Sequence, residues 1–235
     1  MKKYLIKPIL LLLLAAASLP AAAQDFGEDM KAMSKAYAAL NDFSAGITVK
    51  VFGGDNETRP MTVKNATVKK KDLSYFYSID DVTMLMNHDY IIMVNSSMKT
   101  ISVNARTAGE KPQNIYQMAV PQLDSLLKKH DKVRYIGVED NCRHYQVSSP
   151  KSIIEKTDLF IDMNTNLLTK LDYRYNASYR YQTRAIVEFQ SLNTKAGLSD
   201  EEFSEKKFFT KDGKQLKASP SFARYKIVLA SNRKF

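Results

Sequence analysis

The chain of 235 residues has a single cysteine, Cys142, and no tryptophan. A lone cysteine excludes an internal disulfide, so the fold must be held by its core. The only histidines, His88, His130 and His144, lie far apart and show no zinc spacing. No glycine-rich phosphate loop and no G-x-S-x-G elbow is present. RRM, helix-turn-helix and zinc-finger spacings are missing too, so no nucleic acid is expected as a partner. After the first twenty residues no long apolar run recurs, and no second membrane span is expected. No internal repeat, low-complexity linker or domain boundary interrupts the rest.

What is present begins at the N-terminus. Lys2, Lys3 and Lys7 precede an unbroken apolar stretch from Ile9 to Ala17, Pro20 breaks it, and Ala21-Ala22-Ala23 follows. That is the pattern of a bacterial secretory signal peptide, residues 1–23, cleaved near Ala23. The expectation is a periplasmic protein whose mature part, 24–235, is one domain of roughly 210 residues, all-β or α+β. The formal charge of +10 includes those three lysines, leaving about +7 after cleavage. Such a balance suits a transient contact with an anionic membrane surface, or a solvated surface of mixed charge.

The mature chain opens with Phe26, Met30, Met33, Tyr37 and Leu40 at alternating steps of four and three. This spacing predicts an amphipathic helix with Glu28, Asp29, Lys31 and Lys35 off the stripe. Short strands follow in dense succession, joined by turns such as Gly53-Gly54-Asp55-Asn56, Asn87-His88-Asp89 and Asp140-Asn141. Tyr90–Val94 is a continuous apolar run and predicts a central strand. A parity change between Met61, Val63 and Ala66, Val68 predicts a bulge near Asn65. Turns this tight can join only antiparallel neighbours, so the sheet should be an antiparallel meander. Val120, Leu123, Leu126 and Leu127 predict a second helix, ending near Lys128-Lys129-His130. Ser199-Asp200-Glu201-Glu202 reads as a capping box before Phe203.

This order of elements resembles the outer-membrane lipoprotein carrier family (LolA/LolB-like proteins). The residues that carry the resemblance are Leu40-Asn41-Asp42-Phe43-Ser44-Ala45, then Tyr90–Asn95 with Lys99–Val103. Asp158–Asp162 with Asn164–Leu167, and Ile186–Phe189 with Asn193 and Phe203, complete it. It spans roughly residues 26–205, and the segment from about Lys206 onward looks like an addition. The resemblance implies an α+β, mainly β fold. Its core would be a strongly curved antiparallel half-barrel, with helices over the concave face that can move aside. It also implies a non-enzymatic carrier or sensor of acyl chains or lipoproteins, with an envelope or inner-membrane protein as a further partner. Tyr75, Tyr77, Met84, Met86, Leu171 and Tyr173 are the candidate cavity wall. Strand alternation serves a cavity wall and a filled core alike. The alternative is therefore an interaction module of an envelope assembly with a filled core and no ligand. The family also uses an arginine near the sheet interior to control its lid, and only Arg59 before Pro60 is a weak match.

No catalytic group, cofactor or metal site is expected. Cys142 and His144 share a strand face, yet no third residue or oxyanion feature accompanies them. Met84, Met86, Met93 and Met98 are soft ligands in principle, but they lie in apolar strands without a nearby histidine pair. Tyr173-Arg174-Tyr175 and Tyr179-Arg180-Tyr181 read as tyrosines inward and arginines outward.

Overall fold

A computed structural model describes residues 26–53, 58–106, 132–179, 181–213 and 215–229. The signal-peptide segment, the predicted helix around Val120–Leu127 and most of the Gly53–Asn56 turn lie outside the described residues. The described chain is α+β and mainly β: a large, curved, open sheet with one α-helix.

Helix α1 spans Phe26–Ala39 and buries Met30, Met33 and Tyr37 on the stripe read from the sequence. Strands β1 (Asp42–Phe52), β2 (Thr62–Lys71), β3 (Ser74–Ile79), β4 (Val82–Met86), β5 (Tyr90–Asn95) and β6 (Thr100–Ala105) form a first meander. Strands β7 (Lys132–Glu139), β8 (Cys142–Ser148), β9 (Ile154–Asp162), β10 (Leu168–Tyr175) and β11 (Arg184–Asn193) form a second. The two meanders join where β11 pairs antiparallel with β1. After β11 come 3-10 turns at Asp200–Phe203, Glu205–Lys207 and Pro220–Phe222, the β12 (Phe209–Asp212) and β13 (Gln215–Ala218) hairpin, and β14 (Lys226–Leu229). The twelve-stranded sheet runs β14-β6-β5-β4-β3-β2-β1-β11-β10-β9-β8-β7 and does not close.

Antiparallel pairing holds everywhere except at one edge, where β14 runs parallel to β6. The rule from tight turns governs strands adjacent in sequence. β14 arrives after a long excursion, so no turn fixes its direction. The expected bulge near Asn65 is not there. β1 and β2 stay in unbroken register from Asp42↔Lys71 to Val51↔Thr62. Ala66 and Val68 are buried on the helix side, whereas Met61 and Val63 are exposed, so the parity change is a change of face. The irregularities fall elsewhere, between Ser44 and Gly46 on β1, between Tyr135 and Gly137 on β7, and at Leu168/Lys170 and Arg174/Tyr175 on β10.

Each face of the sheet carries its own core. On one side α1 packs over Ile47, Val68, Tyr145, Leu159, Leu171 and their neighbours. On the other side Leu85, Ile92, Ile101 and Val103 pack against Leu198, Phe203, Phe208 and Phe209. Alternation along the strands explains the division, since Ile92 and Leu85 point away from Ile91 and Met86. The C-terminal segment therefore forms a second layer, with Phe222, Tyr225 and Ile227 packed against the same core. The short helix expected to carry Phe203 is a 3-10 turn in which Phe203 is buried and Ser199 makes no side-chain cap. Only half of the capping box forms in this four-residue turn: the Glu202 carboxylate accepts from the Ser199 backbone N–H, while the Ser199 hydroxyl caps nothing.

Candidate functional site on the concave face

The helix defines the concave face. Its N-terminal turn touches β8, where the Phe26 and Tyr145 rings lie 5.2 Å apart. Tyr37 reaches β10, its hydroxyl oxygen accepting from the Leu168 backbone N–H at 3.3 Å. Just past its end, the Leu40 carbonyl accepts a hydrogen bond from Lys70 on β2. From β8 to β2 is five strand steps, about 24 Å at the usual spacing. A helix of 14 residues is about 21 Å long. The helix therefore lies across the strands, and the sheet curves round it.

Register places all six candidate wall residues on this face. Tyr75 pairs with Met86 and Tyr77 with Met84. Met84 is opposite Met93 and Met86 opposite Ile91. Leu171 is opposite Val187 and Tyr173 opposite Ala185. Their environments differ. Leu171 and Tyr173 are buried within the core beneath α1, and so are Tyr75 and Met86. Tyr77 and Met84 are half-buried. Met93, which sequence reading assigned to a general apolar strand, is 48% exposed. Its strand has neighbours on both sides, so a continuous apolar run would ordinarily bury both faces. On the concave side of β3–β5 the row Tyr77, Met84, Met93 instead stays partly open. Among the described residues, the side chains beneath α1 are otherwise buried against one another, and the exposed part of the row lies at the β3–β5 end of the trough.

Two polar devices hold α1, and neither was apparent in the sequence. At its start, Asp29 is buried, with its Oδ1 2.8 Å from Arg143 Nη1. The Tyr145 hydroxyl donates to the other Asp29 oxygen, and Arg143 also donates to Asn166. Asp29 was expected off the stripe, yet it lies three residues after Phe26 and four before Met33. That spacing was the available signal. The arginine that meets the helix is Arg143, while Arg59 lies exposed in the bend before β2. At the other end Lys70 is buried, with its amine over the Tyr75 ring at 5.9 Å. Burial lowers the pKa of Lys70, and a cation beside the last carbonyls complements the helix dipole. Burial also raises Tyr37, Tyr145 and Tyr173 well above the usual phenol range, and an Asp29 hydrogen bond adds to the shift at Tyr145. Burial likewise raises Tyr75 and Tyr77. These five tyrosines therefore stay neutral at physiological pH.

The other sequence candidates separate in space. Cys142 Sγ lies 3.4 Å from Thr169 Oγ1, while His144 Nε2 lies 2.9 Å from Asp158 and its ring stacks on Phe160 at 4.2 Å. The thiol and imidazole thus take different partners. Among the described residues no group of three or more His, Cys, Asp or Glu could hold a metal ion. Met98 sits exposed in the turn after β5, away from Met84 and Met93. Tyr173 points inward and Tyr175 stacks on Tyr179 at 5.1 Å, but Tyr181 is exposed. The inward expectation fails there because Tyr181 lies in the loop after β10, beyond the alternation of the strand. A cavity of about 360 Å³ lies at the β4–β5 turn beside the C-terminal layer. Asn87, Asp89, Asp200 and Glu205 line it, so it is polar.

No protein-family model and no curated protein sequence matches the chain. Solved structures do match. An uncharacterized conserved protein from Thermus thermophilus is 9% identical with a TM-score of 0.45, over 75% of this chain and 91% of that one. MucB is 13% identical with a TM-score of 0.45, over 84% of this chain and 66% of that one. A LolA superfamily protein from Nitrosomonas europaea is 8% identical with a TM-score of 0.33, over 75% of this chain and 97% of that one. The superfamily that the sequence resembles is thus among the matches. At these values, what the chain binds must be read from its own residues.

Proposed function

We propose that this chain is an exported, non-enzymatic carrier or sensor that holds an apolar or lipidated ligand on its concave face beside α1. The observation that carries this reading is the partly open row Tyr77, Met84 and Met93, set in the interior of a sheet rather than at its rim. Thioethers adapt to flexible apolar partners, and a tyrosine offers both a ring and a hydroxyl. The filled space under α1 sets the limit of the site. A ligand would lie along β3–β5 and extend only as far as Tyr75 and Met86 unless the helix moves. The same reading places the protein in the periplasm after cleavage near Ala23. It gives the chain acyl groups as ligand, no cofactor, and an envelope protein or anionic membrane as the place of loading or delivery.

Magnitudes decide between grease and charge. Each buried methylene of an acyl chain contributes about 0.8 kcal/mol. A lysine near an anionic surface contributes about 1 kcal/mol. An acyl chain of ordinary length thus draws its affinity from the apolar face, and net charge steers approach. The test is a titration with a fluorescent fatty acid. Replacing Met84 and Met93 together with lysine is expected to weaken binding at least tenfold, while raising the salt concentration changes it little. If salt dominates and the double variant binds as the parent does, the apolar reading is wrong. If the parent binds no apolar probe and instead captures an envelope protein, the filled-core interaction module is correct.

A further inference from the structure

We infer that strand β7 is a self-complementary docking edge, and that a second copy of this chain pairs with it antiparallel. Among the described residues β7 ends the sheet, and nothing hydrogen-bonds to its outer side. It is long for an edge strand and carries no proline. Tyr135, Ile136 and Val138 on it are 36%, 39% and 58% exposed. Proteins usually keep such rows off an open edge, because unpaired backbone groups beside apolar side chains recruit another strand.

The bulge makes this strand amphipathic. Val133 pairs with Val147, Tyr135 with Tyr145 and Val138 with Arg143, all concave-side partners. Gly137 pairs with His144 on the outer face. Ile136 is the extra residue of the bulge; with Gly137 facing outward, the proposed interface sets it beside Tyr135 in the concave row. The concave row is therefore Val133, Tyr135, Ile136 and Val138. The outer row is Lys132, Arg134, Gly137 and Glu139. Without the extra residue this sequence would alternate out of step.

Only one antiparallel self-register keeps both rows matched. It sets Lys132 against Glu139 of the second copy, Val133 against Val138, Arg134 against Gly137 and Tyr135 against Ile136. Every neighbouring register puts a concave-side residue against an outer one. Opposite charges then meet at both ends, because a two-fold axis repeats the Lys132–Glu139 pair. Gly137 leaves room for the arginine facing it. The two concave faces would run on into each other across the axis.

Sedimentation equilibrium of the mature chain, from low micromolar to near-millimolar concentration, tests this. A reversible dimer is expected. K132E and E139K each set like charges opposite at both ends and should each weaken the dimer about tenfold or more. Both positions are exposed, and circular dichroism should confirm that the variants fold. Mixing K132E with E139K should restore association to the parental level, because the mixed dimer regains two opposite-charge pairs. A parent that stays monomeric throughout the range overturns the inference. So does a dimer that neither substitution weakens, or a mixture no tighter than its components.

Discussion

Removing the Asp29 carboxylate is the sharpest test of how α1 is held. The side chains of Asp29 and Arg143 are 6% and 14% exposed, with 2.8 Å between Oδ1 and Nη1. Breaking a buried pair by deleting one partner costs about 3–5 kcal/mol, mainly because the other charge is left buried. Arg143 would keep Asn166, which argues for the lower end. Its Nε has no hydrogen-bond partner even with Asp29 present, so little compensation remains. Asp29→Ala should therefore cost about 3 kcal/mol. For a chain of this size that lowers Tm by about 6–12 °C. Urea unfolding followed by far-UV circular dichroism is the assay, since the chain has no tryptophan to report. The double change Asp29→Ala with Arg143→Met should be more stable than Asp29→Ala alone, by about 1–2 kcal/mol, because the stranded guanidinium is what costs. A single variant as stable as the parent would refute the reasoning. So would a double variant that costs the sum of its parts.

Other outcomes follow from burial and charge. Leu171→Ala should cost about 2–5 kcal/mol in the same unfolding assay, because Leu171 is enclosed in the core under α1. Met93→Ser should leave stability within about 0.5 kcal/mol and weaken fatty-acid binding, which separates wall from core. Glu202 is held below its usual pKa, first by its hydrogen bond from Lys69 and also by that lysine's charge. A carboxylate with a depressed folded pKa adds stability above its unfolded pKa and loses it as pH falls through the folded one. The pair is partly exposed, so the contribution is below about 1 kcal/mol. The urea midpoint of the parent should fall slightly more than that of Glu202→Gln as pH drops below about 4, and equal slopes would contradict the assignment.

Local pattern was legible and long-range placement was not. The four-and-three stripe of Phe26, Met30, Met33 and Tyr37 located α1, and period-two alternation put Tyr75 and Tyr77 on one face. Alternation cannot say which face of a strand is covered, or by what. Met93 and Ile92 are equally apolar, yet Ile92 is sealed by the C-terminal layer while Met93 stays half open. That layer was read as an addition because Phe208, Phe209 and Phe222 meet their partners only across the tertiary fold. The same limit hid the pairing of β11 with β1 and of β14 with β6, where no turn links the strands. Asp29 was misplaced for a different reason. Its charge suggested solvent, although its spacing put it on the buried side, where Arg143 and Tyr145 make that burial tolerable.

Photo-crosslinking with a diazirine fatty acid, followed by peptide mapping, probes the concave-face site most directly. Adducts are expected on the β3–β5 strands at Tyr77, Met84 and Met93, and competition by unlabelled fatty acid should remove them. Adducts confined to the C-terminal layer, or scattered without competition, would contradict the account.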